Sequence, residues 1–366
     1  MNSARSNALP RISRPLLTSL ILLAVACAMV LGLLAFADPS ALWAALSRAR
    51  PGWLAAAACM HLLAAVLRAV RLHRLLNRIV PLARVFLVAN TGNMLNSLVP
   101  LRAGEFCMAY LFSRDLPRGG GQALAKVFAD RALDIVAVML LFIAAVLFFP
   151  PGTSADPGLT KAAGFCGIAL LAAAPCLYLV VRFRTPFLRA LRLLARPLGP
   201  ERWAALETRL HAGLDGLDVL LRPGPCLRLT AASLGIWTVI ALSYELSMNA
   251  LFPPPSLAAP VLAMSFTVVG LLAMTTPAGI GTTHGAIVIA LRLCGVPLDQ
   301  GLAFALIYHA LSTSLNVLLG VVSARLLGFR LSALFRLAAR RGEKDNGDAA
   351  GRPAQDQAIP GTNQDM

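Results

Sequence analysis

The stretch LAKVFADRALDIVAVMLLFIAAVLFF, residues 124–149, decides the fold class of this chain. A helix rises about 1.5 Å per residue and needs roughly 20 apolar residues to cross a bilayer, which this stretch supplies. Residues 15–37 and 165–181 form comparable apolar blocks. The pattern therefore predicts membrane helices rather than the core of a soluble domain.

Composition supports a lipid environment. Of the 366 residues, 58% are hydrophobic and 14% are charged, against roughly 25% charged in a typical soluble domain. The net charge of +16 comes from Lys and Arg in short loops between apolar blocks. Because these residues are not interleaved with aromatics, they indicate a cytoplasmic charge bias and not a nucleic-acid interface. The seven cysteines are scattered without a C-x-x-C pair, so we expect no metal and no cofactor.

We predict an all-α integral membrane protein with about seven or eight hydrophobic helices in a polytopic domain, residues 15–341. The basic N-terminus, residues 1–14, is expected in the cytoplasm before an uncleaved first span. The second span, about residues 53–72, ends in a basic cluster that begins with Arg68 and Arg71, and Arg74–Arg84 are assigned to the cytoplasm. The loop 182–228, with an amphipathic helix near 201–221, is assigned there too. Residues 342–366 are expected to form a disordered cytoplasmic tail. The predicted location is a bacterial inner membrane.

Two apolar segments carry unusual interruptions. Residues 85–106 contain three asparagines, then Pro100, Arg102, Gly104 and Glu105, and residues 257–294 contain the run TTPAGIGTTHG at 275–285. By charge, each segment starts and ends on one side of the membrane. Both are therefore predicted to be re-entrant or broken helices, which are tolerated only where their backbone is buried in protein or lines a cavity.

The two broken segments belong to a sequence repeat. Gln122 and Arg131 recur as Gln300 and His309, both 178 residues later, and Pro100…Gly104 parallels Pro277…Gly281. The following spans run in opposite directions by charge, so the copies are predicted to be inverted. Inverted repeats with discontinuous helices favour a transporter.

Ionisable residues within these segments are candidates for function, because each costs about 2.5–3.5 kcal/mol to insert. Arg102 fits a lipid phosphate, with Glu105 orienting it or receiving a cationic headgroup, although the two could also form a structural ion pair. Asp130 and Asp134 lie with Lys126 on one helical face beside Arg131. This charged stripe either binds substrate or holds helices together, and the sequence leaves both readings open.

Three further residues stand out. Glu245 has no cation at helical spacing, which makes it a candidate for coupling or headgroup contact. His284 and His309 could bind protons, metal or phosphate, but a lone histidine is more often a packing residue, and no metal site is expected. No phosphate-binding loop for ATP occurs in the sequence.

The chain resembles the lysylphosphatidylglycerol synthase transmembrane-region (flippase-like) family over about residues 54–327. Three motifs carry the likeness: Asn93…Asn96…Pro100-Leu101-Arg102-Ala103-Gly104-Glu105, Asp130-Arg131-Ala132-Leu133-Asp134 and Pro277-Ala278-Gly279-Ile280-Gly281. The resemblance implies translocation of a lipid or lipid-linked substrate. It places the site at Arg102, Gly104, Glu105, Asp130, Arg131, Asp134, Pro277, Gly279 and Gly281. The chain departs from the family's pattern at two positions, His284 and Asp130, where the resemblance leads us to expect glutamate. No aminoacyl-transferase domain is expected after Arg341.

The sequence thus favours a lipid translocase that is not an enzyme, whose partners are the membrane and a phospholipid or lipid-linked substrate. A membrane-embedded transferase with Glu105, Asp130 or Glu245 as general base is the alternative. A scaffold that recruits a biosynthetic enzyme through the loop 182–228 is a third reading. A homo-oligomer is also possible.

Overall fold

The computed structural model describes residues 39–98, 103–148, 182–194, 221–272 and 279–329, together with scattered residues elsewhere between 158 and 217. These residues contain ten helices and no strand. Four of the helices are long and apolar enough to cross a membrane. The predicted all-α membrane fold is confirmed. The predicted span at 15–37 and the tail at 342–366 lie outside the described residues, as does most of the span at 165–181.

The helices are numbered here in chain order. They are α1 (Pro39–Ser47), α2 (Pro51–Leu75), α3 (Leu82–Leu98), α4 (Ala103–Ser113), α5 (Gly119–Phe148), α6 (Arg184–Leu194), α7 (Pro223–Asn249), α8 (Ala258–Leu272), α9 (Thr282–Leu293) and α10 (Leu298–Leu326).

Helices α2–α5 and α7–α10 form two similar units. Their lengths are 25, 17, 11 and 30 residues in the first unit and 27, 15, 12 and 29 in the second. Each unit begins with Arg-Pro-Gly, at Arg50 and at Arg222. The two arginines are N-caps with nearly equal backbone angles, φ −89° and ψ 109° against φ −87° and ψ 115°. Proline in the first helical position pre-sets the φ that the helix needs, so one local signal starts both units.

The first helices of the two units pack against each other in opposite directions. The backbone N–H of Arg50, before α2, donates to the carbonyl of Ala250, after α7, at 2.9 Å. Further along α2, the carbonyl of Ala57 accepts from the Ser243 hydroxyl at 2.9 Å. The contact on α7 moves backward as α2 advances, so the equivalent helices are antiparallel. This antiparallel pair is what an inverted repeat requires, and inversion of the two units across the membrane stays a prediction.

Close glycine contacts fix the register of the repeat. In the first unit, Gly92 on α3 lies directly against Met108 on α4. In the second, a Cβ added to Gly270 on α8 would lie 3.1 Å from Cβ of Ala286 on α9. Both residues of the second pair are numbered 178 higher than their counterparts, the spacing that also relates Gln122 to Gln300. The predicted pairing of Gly104 with Gly281 is therefore wrong by one residue.

Each predicted broken segment contains two short helices separated by a gap in the described chain. Residues 99–102 separate α3 from α4, and residues 273–278 precede α9. The first pair is closed by Gly104, whose N–H donates to Asn96 Oδ1 at 2.8 Å. The second is shaped by Gly279 (φ +67°) and Gly281 (φ +86°), left-handed conformations that suit glycine. Entry of these pairs into the membrane from one side stays a prediction.

The basic loop contains one described helix, α6, where Leu188 is buried against Leu214. Most residues of the amphipathic helix predicted near 201–221 lie outside the described part of the chain. The predicted domain limits remain predictions.

Candidate functional site

A buried ion network joins α2, α5 and α7. Arg71 has no exposed surface. Its Nε donates to Asp130 Oδ1 at 2.9 Å, and its Nη1 donates to Asp134 Oδ1 at 2.7 Å and to Ser233 Oγ at 2.8 Å. One guanidinium thus bridges two carboxylates that lie one helical turn apart on α5.

Two further donors contact these carboxylates. Arg131 Nη2 donates to Asp130 Oδ2 at 2.7 Å, and its Nη1 lies 3.4 Å from Asp134 Oδ2. Trp237 Nε1, on α7, donates to Asp134 Oδ1 at 2.8 Å. Arg131 also interacts electrostatically with Glu105, in the first turn of α4. Buried charges are tolerated when they are paired and hydrogen-bonded in this way, so the network holds four helices together.

Two arginines at the end of the predicted second span belong to this part of the structure. Arg71 is fully buried in the network, and Arg68 is half-buried and lines a cavity. Sequence reasoning grouped both with the basic cluster that follows the span and gave neither a role, although the two acids on α5 need cations at their own depth. The useful signal was the i, i+3 spacing of two arginines within an apolar stretch.

A cavity of about 220 Å³ lies between the two units. Side chains from α2, α3, α7, α8, α9 and α10 line it. Its polar lining residues in the described chain are His61, Arg68, Asn93, Asn96, Ser97, Tyr244, Thr267, Thr283, Tyr308, His309, Ser312, Thr313 and Asn316. Almost all are neutral hydrogen-bonding groups, and none of the described lining residues carries a carboxylate.

Arg68 places a cation in the wall of this cavity. Its guanidinium carbon lies 5.0 Å from the centroid of the Trp237 ring, a cation–π arrangement. Its Nε is buried and makes no hydrogen bond within the described part of the protein. Trp237 therefore lies between the ion network, which it contacts through its indole N–H, and the cavity, which it contacts through its ring.

The repeat relates the two acids of the ion network to two residues of the cavity wall. The spacing of 178 places Tyr308 and Ser312 on α10 at the positions that Asp130 and Asp134 occupy on α5. The first pair lines the cavity, whereas the acids take part in the ion network. One unit makes a charged internal contact where the other contributes a neutral polar wall.

The two predicted histidines lie together. Their ring centroids are 4.8 Å apart, and His309 lines the cavity. His284 Nδ1 accepts a hydrogen bond of 3.2 Å from the Gly281 N–H at the start of α9. No group of three His, Cys, Asp or Glu side chains in the described chain is placed to hold a metal ion.

The structure separates the predicted site residues into groups. Asp130, Arg131 and Asp134 meet in the ion network, with Glu105 at its edge. Gly104 closes the α3–α4 helix pair, and Gly279 and Gly281 shape the turn before α9. Glu245 is half-buried on α7 and does not line the cavity. Arg102 and Pro277 lie outside the described residues.

Sequence reasoning missed most of the cavity wall. Asn93 and Asn96 were interpreted as helix interruptions. Asn316, Thr313 and His61 were not predicted to belong to a site. Neutral polar residues occur throughout membrane helices, so only their convergence in space marks them. The sequence signal that could have located Tyr308 and Ser312 was the repeat spacing itself.

Comparison with known protein families gives a match over most of the chain. Residues 20–320 match the family described as the lysylphosphatidylglycerol synthase TM region. The chain belongs to this family. No curated protein and no solved structure matches the chain. This lysylphosphatidylglycerol synthase TM-region protein is therefore a multi-pass membrane module related to lipid modification or translocation.

Proposed function

We propose that this TM-region protein translocates a phospholipid or lipid-linked substrate across a bacterial inner membrane, with both termini in the cytoplasm. The supporting observation is the polar cavity between two antiparallel units, with Arg68 in its wall. A helix bundle in lipid has no general need for a polar cavity, since buried polar groups cost free energy unless they are satisfied. A passing headgroup would satisfy them.

The chemistry of the cavity suits the part of a lipid that cannot cross a bilayer unaided. Hydrocarbon offers a headgroup no hydrogen bonds, whereas the walls of α3 and α10 offer amides and hydroxyls. Arg68 adds a planar guanidinium, which can bind a phosphate through two parallel N–H···O bonds. The acyl chains would stay in the surrounding lipid.

The relation between the units supplies a route for alternating access. The cavity lies where two inverted units meet, and the antiparallel pair α2 and α7 forms a direct contact between them. Rocking of one unit against the other about this contact would expose the cavity to one side and then to the other. The ion network crosses the same contact, because Arg71 donates to Ser233 and Trp237 donates to Asp134, so it would lie at the pivot of this motion.

Reconstitution of the full chain into vesicles tests this proposal. Phospholipids with a fluorescent acyl chain are incorporated, and a membrane-impermeant reductant quenches those in the outer leaflet. We expect the wild type to raise the fraction of lipid that becomes quenched above that of protein-free vesicles. Arg68→Gln should lower the rate at which inner-leaflet lipid becomes quenched at least tenfold. Arg74→Gln is the matched control, because Arg74 is exposed on the same helix.

The outcomes of this assay separate translocation from the alternative functions. Equal rates in wild type and Arg68→Gln, or no lipid movement by wild type, would overturn the proposal. Mass spectrometry of the recovered lipids distinguishes the transferase alternative, which requires a covalently changed lipid. Arg102→Ala in the same assay tests the remaining sequence-based assignment of the phosphate site.

A further inference from the structure

We infer that α6 is a membrane-surface helix, which inserts exposed apolar side chains into the adjacent lipid leaflet and binds anionic phospholipid headgroups through its arginines. The partner of this helix is the bilayer around the protein. No residue of α6 lines the cavity between the two units. The inference therefore goes beyond the proposed function and does not depend on it.

One face of α6 attaches the helix to the rest of the protein. Leu188 is only 3% exposed and packs against Leu214. Leu217 packs against this pair and also against the core that contains Leu75 and Leu76, the last residues of α2 and its C-cap. The described contacts therefore hold α6 at the end of the bundle where α2 ends.

A second face of α6 is apolar and exposed. Phe183, just before the helix, is 51% exposed and Phe187 is 38% exposed. Ala190 and Leu194 are exposed as well. These four residues follow the i, i+4, i+7, i+11 spacing of a single helical stripe. Contact of such a stripe with water is unfavourable, whereas the acyl chains of a neighbouring bilayer would cover it.

A third face of α6 is basic. Arg189 and Arg192 are exposed and lie three residues apart, on a different side of the helix from the apolar stripe. The exposed arginines among the described residues of the basic loop are Arg182, Arg184, Arg189, Arg192, Arg222 and Arg228, and the one described acid there is the half-buried Glu207. Apolar and basic faces side by side are typical of helices that lie in the plane of an anionic membrane surface.

The position of α6 in the fold matches this chemistry. Exposed Arg74 lies near the end of α2, and exposed Arg222 and Arg228 lie at the start of the antiparallel helix α7. By charge, this end of the bundle faces the cytoplasm, where the leaflet is anionic and each basic residue strengthens surface binding about fivefold. An acidic protein would match the arginines alone, whereas a bilayer presents phosphates and acyl chains at adjacent depths and so matches both exposed faces.

Fluorescence quenching tests the insertion of the apolar stripe. The full chain, in a cysteine-free background, carries Ala190→Cys on the stripe or Thr185→Cys on the basic side, each labelled with a nitrobenzoxadiazole fluorophore. Both positions are exposed, so they form a matched pair. The protein is reconstituted into vesicles of phosphatidylglycerol and phosphatidylcholine with brominated acyl chains. We expect the bromines to quench the label at position 190 about threefold more than the label at position 185, because only the stripe reaches the acyl chains.

Bromination of one lipid at a time tests the preference for anionic headgroups. In equimolar vesicles, brominated phosphatidylglycerol should quench the label at position 190 about threefold more than brominated phosphatidylcholine does. Arg189→Gln combined with Arg192→Gln should remove this preference. Arg78→Gln combined with Arg114→Gln is the matched control, because it removes the same charge from exposed positions outside α6 and should leave the preference unchanged.

Several outcomes would overturn the inference. Equal quenching at positions 185 and 190, or none at either, contradicts insertion and would favour a protein as the partner of this helix. Equal quenching by the two brominated lipids, or a preference that persists without Arg189 and Arg192, contradicts binding of anionic headgroups. Lipid movement in the translocation assay is read separately, so failure of the proposed function and failure of this inference are distinguishable.

Discussion

Arg71 Nη1 lies 2.7 Å from Asp134 Oδ1, at the point where α2, α5 and α7 meet. These two residues are 63 positions apart in sequence, so their ion pair forms only when the helices of the first unit assemble. Trp237 connects the pair to Arg68 in the cavity wall. The network thereby sets the position of the residue that the proposed function depends on.

Removing Arg71 should destabilise the fold severely. Arg71→Met leaves Asp130 and Asp134 buried with one arginine between them, and breaking a buried ion pair costs about 3–5 kcal/mol. The measurement is thermal unfolding in detergent, with Arg74→Met as the exposed control on the same helix. Adding Asp134→Asn to Arg71→Met should recover part of the lost stability, because it removes one uncompensated charge. If Arg71→Met alone were as stable as the wild type, the ion pair between Arg71 and Asp134 would not be a structural contact.

Much of the fold was predictable from local signals, whereas the site was not. Long apolar stretches indicated the helices, and Pro100, Gly104 and the glycines before His284 marked the two breaks. The charged stripe on α5 was visible because Asp130 and Asp134 share one helical face. Its partner Arg71 was missed, since a charge count along the chain does not reveal which distant helix supplies the counter-ion.

The α3–α4 helix pair should tolerate no side chain at Gly104. An added Cβ would overlap the carbonyl oxygen of Gly92, a backbone atom that cannot move away as a side chain can. We expect Gly104→Ala to cost about 3 kcal/mol, the upper part of the range for overpacking. Gly285 on α9 is the matched control, because nothing lies within 4 Å of its added Cβ.

The control should change stability in the opposite direction. Alanine favours a helix over glycine by about 0.5–1 kcal/mol, so Gly285→Ala is expected to raise the melting temperature slightly. Both variants are compared by thermal unfolding in the same detergent. Similar effects in the two variants would contradict the close contact between α3 and α4.

The antiparallel units predict opposite exposure of their two equivalent arginines. Arg50 and Arg222 are both exposed and cap the first helix of each unit. In a cysteine-free background, Arg50→Cys and Arg222→Cys should react with a membrane-impermeant maleimide from opposite sides of the membrane. The charge pattern places Arg222 on the cytoplasmic side. Labelling of both cysteines from one side would show that the units are not inverted across the bilayer.

A carboxylate placed in the cavity should change which headgroup is moved. Asn316 lines the cavity, and its Oδ1 lies 3.3 Å from His61 Nε2. Asn316→Asp adds a negative charge to a wall that has none among its described residues, which favours an ammonium and disfavours a second anion near Arg68. We expect phosphatidylglycerol movement to fall about tenfold and phosphatidylethanolamine movement to rise relative to it.

Asn249→Asp is the matched control for this change, because Asn249 lies on α7 outside the cavity lining and its side chain donates to the backbone of Glu245. Vesicle assays with the two fluorescent lipids, run in parallel, give the ratio of rates. A ratio that shifts in Asn316→Asp but not in Asn249→Asp assigns selectivity to the charge of the cavity wall. An unchanged ratio in Asn316→Asp, with the variant folded and active, would mean that the headgroup does not pass this wall.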